Sequence, residues 1–237
     1  MRASGGDSTL VGVANHDARG KSLLDRVLVN PEWSSTPGKV SFIWCLANFA
    51  LFAALWVAGD HGSVGVLIEV GIWVPFTLLL ARLLTQPLSI GIYLPVVVAL
   101  ALGEEAIAYS TGGGLHGAAT SLVEDWVRSI PTFVGIAIGV LLAVRWVGLT
   151  APESFATAAV VGIVIEIGLG TGFNPVALLG LSGAAAWLYG TIVALPLMHS
   201  NAPKPTWVRW SVTVGLVVFW TLIGGFFGLG LQMALHL

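Results

Sequence analysis

The chain has 237 residues, of which 56% are hydrophobic and only 9% charged, and its formal net charge is −2. A soluble domain usually carries about 25% charged residues, so this chain cannot wet an ordinary protein surface and lipid is its implied solvent. The charge balance provides no basic face for nucleic acid and no acidic tail, and the single cysteine, Cys45 in an apolar run, allows neither an intrachain disulfide nor a cysteine-based metal site.

In chain order, residues 1–38 read as a cytoplasmic N-terminal arm. Met1 to Gly20 is rich in Gly, Ser, Asp and Asn, a composition expected to be mobile. The first apolar run begins near Val40, too late for the h-region of a cleavable signal peptide. Within Lys21–Asn30, Leu23, Leu24, Val27 and Leu28 fall on one helical face and Lys21, Asp25 and Arg26 off it. That pattern predicts a short interfacial helix or a soluble cap.

A membrane span needs about 20 apolar residues. Residues 39–237 contain seven such runs, near 40–58, 63–84, 88–109, 131–149, 154–171, 175–198 and 207–234. Turn chemistry separates them at Gly59-Asp60-His61-Gly62, Thr85-Gln86-Pro87, Ala151-Pro152-Glu153 and Asn174-Pro175. Between the third and fourth runs, Gly117–Ile130 reads as a separate interfacial helix. Its apolar stripe is Leu122, Val123, Trp126, Val127 and Ile130, with Ser121 and Glu124 spaced as a capping box and Glu124 one turn from Arg128. The predicted fold is all-α, a seven-transmembrane-helix bundle.

Orientation follows from the positive charges. Arg2, Arg19, Lys21, Arg26 and Lys39 precede the first span, and seven spans bring Arg82, Arg145, Lys204 and Arg209 to the same side. Only Arg128 falls outside, so the expected topology is a multi-pass protein of the cell membrane with its N-terminus in the cytoplasm and its C-terminus outside. Trp44, Trp56, Trp126, Trp146, Trp207 and Trp210 lie toward span ends, as an aromatic belt requires. GxxxG pairs occur at Gly135/Gly139, Gly168/Gly172 and Gly224/Gly228, and the sixth span is rich in small residues from Gly180 to Gly190. Such faces let backbones approach closely. They serve packing within the bundle, or partners: a second copy or other membrane chains.

Four carboxylates lie inside the predicted spans: Glu69, Glu104, Glu105 and Glu166. Each costs roughly 2.5 kcal/mol or more near a helix centre unless protonated, paired or facing water. At 1.5 Å per residue, all four sit about 6 to 10 Å below the outer boundary. No basic residue is expected in that layer. Glu104 and Glu105 point about 100° apart, so one can face the interior while the other reaches a neighbouring helix or the headgroups. With His61 and His116 in the outer loops, these residues form the candidate binding set.

Other chemistries lack their residues. No histidine lies within a span to hold haem, and no HExxH or HxxxH pair occurs. Glu104-Glu105 resembles the start of the EExxxR motif of CAAX-type intramembrane proteases, but no arginine follows at that spacing. Gly180-Leu181-Ser182-Gly183 resembles the GxSG of rhomboid intramembrane proteases, without the histidine base that a serine nucleophile requires. The last span has no lysine for a retinal Schiff base.

The leading expectation is transport or conduction through a glutamate-lined, cation- or proton-responsive site in the outer half of the bilayer. An enzyme using glutamate and histidine acid–base or metal chemistry on a lipid or lipophilic substrate is the second reading. A non-catalytic subunit of a membrane complex is the third. The sequence names no cofactor.

Overall fold

A computed structural model describes residues 22–84, 86–112, 119–169, 172–194 and 205–236. The described residues are helical, with no strand. A short α1 (Leu23–Val27) precedes α2 (Thr36–Val57), α3 (Ser63–Leu83), α4 (Ile90–Thr111), α5 (Leu122–Val147) and α6 (Ala151–Ile163). α6 continues into a π-helical segment, Val164–Leu169, followed by α7 (Pro175–Val193) and α8 (Thr206–Leu235). Seven of these helices are long and apolar enough to cross a membrane. The readings made of Met1 to Gly20 and of Gly170 and Thr171 lie outside the described residues.

Local chemistry sets the helix starts. Ser35 accepts the Gly38 amide at 3.4 Å and Pro37 sits in the first turn of α2. Thr150 and Glu153 close a capping box on α6, and Asn174 Oδ1 accepts the Val176 amide at 2.8 Å ahead of Pro175 in α7. In each case a side-chain oxygen satisfies an amide that the first turn leaves without an intrahelical partner. Proline at these positions gives up an N–H that the helix does not use.

α7 is the central helix. It is buried at Gly180 and continuously from Ser182 to Val193, and it packs against α2, α3, α4, α5 and α6. Its small residues make this possible: a Cβ on Gly183 would strike Trp44 and Asn48 of α2, and one on Gly190 would strike the Phe155 ring of α6. Asn48 reaches across to accept the Gly183 amide at 2.8 Å and to donate to the Leu179 carbonyl at 2.9 Å. Around Trp187 the rings of Trp33, Phe42 and Phe155 lie 5.8, 5.0 and 6.0 Å away. Outward positions on the other helices stay apolar and exposed, among them Ile72 and Phe76 on α3 and Phe219, Leu222 and Phe226 on α8. An apolar exterior around a polar-studded interior is compatible with a membrane helical bundle.

One end of the bundle, the arm end, gathers the starts of α2, α4, α6 and α8 with the end of α7. Trp33 donates to the Ala194 carbonyl at 3.0 Å and Tyr93 to the Val193 carbonyl at 2.7 Å. Arg209 of α8 grips Glu153 of α6 in a forked ion pair at 2.7 to 3.1 Å. At the far end, Gly65 of α3 lies against the backbone of Thr111 and Gly112. Gly112 has a φ of +62°, which ends α4 in the left-handed conformation glycine adopts without strain. Leu28 and Trp33 are fully buried, so the segment after α1 is built into the core rather than laid on its surface.

Two sequence expectations are corrected. The interfacial helix of 117–130 and the fourth span of 131–149 are one helix, α5, which runs unbroken through Pro131. Proline withdraws the amide that would bond the Val127 carbonyl. α8 covers that site with glycine: a Cβ on Gly228 would stand 3.1 Å from the Val127 oxygen and 3.0 Å from the Arg128 oxygen. Glu124 does not complete a box with Ser121 either. It accepts the amide and hydroxyl of Thr120, both at 2.7 Å, while the Ser121 hydroxyl accepts the Glu124 amide at 3.1 Å.

The glycine faces are resolved in part. Gly135 and Gly139 of α5 lie against the α8 backbone at Trp220 and Val217, and Gly224 of α8 lies against Pro131 of α5. These two GxxxG pairs therefore pack within the chain. Gly168 instead meets the Phe173 ring, and Gly172 turns with a φ of +64°, so that pair forms no interhelical ridge.

Candidate functional site

The four glutamates, drawn from α3, α4 and the π-helical segment, are brought together. Glu69, Glu104 and Glu105 are buried. Glu104 lies within electrostatic reach of Glu105, Glu69 and Glu166, and Glu69 within reach of Glu166. Glu105 lies within electrostatic reach of Asp125 of α5 and of Glu166, and Glu104 reaches Asp125 as well.

Asp125 is the member that sequence reasoning missed. It is 1% exposed and within reach of Glu104, Glu105 and Glu166. The helical wheel did contain the signal: Asp125 and Ser129 are one turn apart. Reading 117–130 as a surface helix placed both in water. The expectation of no basic residue in this layer is also corrected. Arg128 lies within electrostatic reach of Glu166, because continuity of α5 carries its first turns into the bundle. Glu166 thus has a cationic neighbour, which lowers the cost of holding a carboxylate there.

Tyr189 of α7 closes the cluster. Its hydroxyl donates to Glu166 Oε1 at 2.6 Å. Its ring stacks on Phe133 of α5 with centroids 4.6 Å apart, and it presses against Gly162, where a Cβ would overlap the ring. The π-helical turn carries Glu166. Such a turn widens the helix by one residue and changes the direction of what it carries, and π-bulges recur at functional sites.

Glu69 differs from the others. Both of its carboxyl oxygens are buried and make no hydrogen bond. It lines a cavity of about 10 Å³ with Cys45, Trp73, Ala184 and Trp187, close to the room that one water needs. A buried carboxyl facing such a space can exchange a proton with a water there.

His61 does not join this cluster: it is exposed in the turn before α3. His116 lies outside the described residues. Asp60 braces the turn before α3, accepting the Gly62 amide at 3.1 Å and the Ser63 hydroxyl at 2.7 Å. Ser182 of the GxSG stretch is buried in α7, and its hydroxyl makes no hydrogen bond. Among the described residues, no three carboxyl, imidazole or thiol groups converge closely enough to hold a metal ion.

Comparison with protein-family models, with curated proteins and with solved structures gave no match. Seven long apolar helices define the class at the level of a multi-pass membrane protein.

Proposed function

We propose that this chain is a multi-pass protein of the cell membrane that moves protons, or a solute coupled to them, through the carboxyl chamber formed by Glu69, Glu104, Glu105, Asp125 and Glu166. The arm end faces the cytoplasm in this reading, as the basic residues favour, and the chamber lies toward the outer side. One observation carries it: five carboxyl groups from four chain segments, four of them buried, lie within electrostatic reach of one another, with Arg128 beside Glu166. That charge is balanced only when protons or cations are bound, and ionisable groups buried in membrane helices mark ion and proton pathways. Carboxyl groups gathered this closely, with both oxygens of Glu69 buried and making no hydrogen bond, favour the proton as the species exchanged.

Purified protein in liposomes loaded with a pH-sensitive dye tests the reading. A pH step across the membrane is followed by proton flux above that of empty vesicles, and the Glu69→Gln, Glu166→Gln double variant abolishes it. Flux unaltered in the double variant removes the site, and no flux in the native chain removes the function.

A further inference from the structure

The chamber lies at one position along the bundle, and transport requires a route to the other side. Polar groups buried between α3 and α7 trace one from Glu69 toward the arm end. The cavity at Glu69 is walled by Trp73 and Trp187. Beyond it, the Trp73 indole donates to Thr191 Oγ1 at 3.2 Å and the Trp187 indole to Thr77 Oγ1 at 3.3 Å. These two threonines are fully buried, and their hydroxyls turn back to the Leu188 and Val74 carbonyls. Trp187 then meets Trp33 edge-on. Next come the last carbonyls of α7, taken by Tyr93 and Trp33.

This seam ends at a carboxyl outside the chamber. Glu32 is 2% exposed and lies within electrostatic reach of the Tyr93 hydroxyl. Its position is held from both sides. Asn30 Oδ1 accepts the Glu32 and Trp33 amides at 2.9 and 3.3 Å, and the Ser35 hydroxyl donates to the Glu32 carbonyl. A buried carboxyl group beside the last hydroxyl of the seam places an ionisable group at the arm end of the route. An indole N–H only donates and cannot hand a proton on. The three tryptophans therefore close the seam in this conformation, and the threonine hydroxyls and the cavity mark where water enters when they part.

We infer that Glu32 is the arm-side proton acceptor of a pathway whose other terminus is the carboxyl chamber, and that Trp33, Trp73 and Trp187 are the barrier between them. This rests on the chamber reading above. A proton leaves Glu69 to water in the cavity, passes the tryptophan barrier when it opens, and is taken by the Glu32 carboxylate before release at the arm end. The occupant of the seam is water, and the species carried along it is the proton.

The experiment uses the full chain in the same dye-loaded liposomes, comparing the native protein with Glu69→Gln, Glu32→Gln and Glu32→Asp. The expected result is that Glu32→Gln lowers proton flux by about tenfold or more, the scale on which a lost acid–base group acts. Should Glu32→Gln fail to fold, Glu32→Asp decides. It keeps a carboxyl but withdraws it by about one bond, and a misplacement of that order slows a positioned step by up to about a hundredfold. Native flux in whichever of the two folds, with flux lost in Glu69→Gln, overturns the assignment of Glu32 and leaves the chamber standing. Native flux in Glu69→Gln as well overturns both.

Discussion

The hydroxyl of Tyr189 and the carboxyl of Glu166 meet at 2.6 Å, joining the central helix to the π-helical turn. This contact sets where the Glu166 carboxyl points. Tyr189→Phe keeps the ring stacked on Phe133 and removes only the donor. The expected outcome is a loss of about 1–3 kcal/mol of stability, as for other buried groups left without their partner, together with a fall in proton flux. Thermal unfolding in detergent and the liposome assay check the two effects separately. Unchanged flux would leave Tyr189 a packing residue.

Asp125→Asn separates charge from shape. The amide keeps the shape of the side chain but can neither carry the charge nor take up the proton of a carboxyl group. The variant is expected to fold with little change in melting temperature and to lose most of its proton flux. A variant that melts early but conducts at the native rate would assign Asp125 to stability alone.

The α5–α8 contact makes a prediction with its own control. A Cβ on Gly224 would overlap the Pro131 carbonyl, backbone against backbone, whereas nothing lies within 4 Å of one on Gly230. Gly224→Ala is expected to destabilise by about 1–3 kcal/mol through overpacking. Gly230→Ala is expected to be neutral or to stabilise by up to about 1 kcal/mol from helix propensity. Unfolding curves of the two variants in one detergent give the comparison.

At the arm end, Asp25 is joined to Lys39. Hydrogen bonds from Lys39, then from Ser22, lower the Asp25 pKa from 3.8 to about 2. A carboxyl depressed by folding contributes stability that is present above its unfolded pKa and lost as pH falls through the folded value. The contribution is therefore complete above about pH 4 and disappears toward pH 2. In Lys39→Gln the Asp25 titration midpoint, followed by NMR, is expected to rise toward 3.8. A midpoint unchanged by that substitution would mean that Lys39 is not the cause.

Much of this was legible in the chain. Lipid-length apolar runs separated by Gly, Pro and Asn are strong signals, and the seven helices follow them closely. A glutamate in such a run is conspicuous, so Glu69, Glu104, Glu105 and Glu166 could be named, and their similar depth pointed to one cluster. Asp125 and Arg128 could not be found this way. They lie in the first two turns of α5, which resemble an interfacial helix, and Pro131 reads as a break unless the glycines of a distant helix are known to cover it. The π-helical turn leaves no mark in hydropathy, since one extra residue in a helical turn alters direction without altering composition. Trp33 and Glu32 precede the first apolar run, where a window average reports only polarity.

α8 has one principal neighbour, α5, and is fastened to α6 at its start by Arg209 and Glu153. It follows the other described helices in the chain. The carboxyl chamber, the central helix and the tryptophan barrier are all assembled from chain that precedes it, so a working interior can form before α8 arrives. Its glycine ridge then docks onto a surface already formed, and the interior gains a wall.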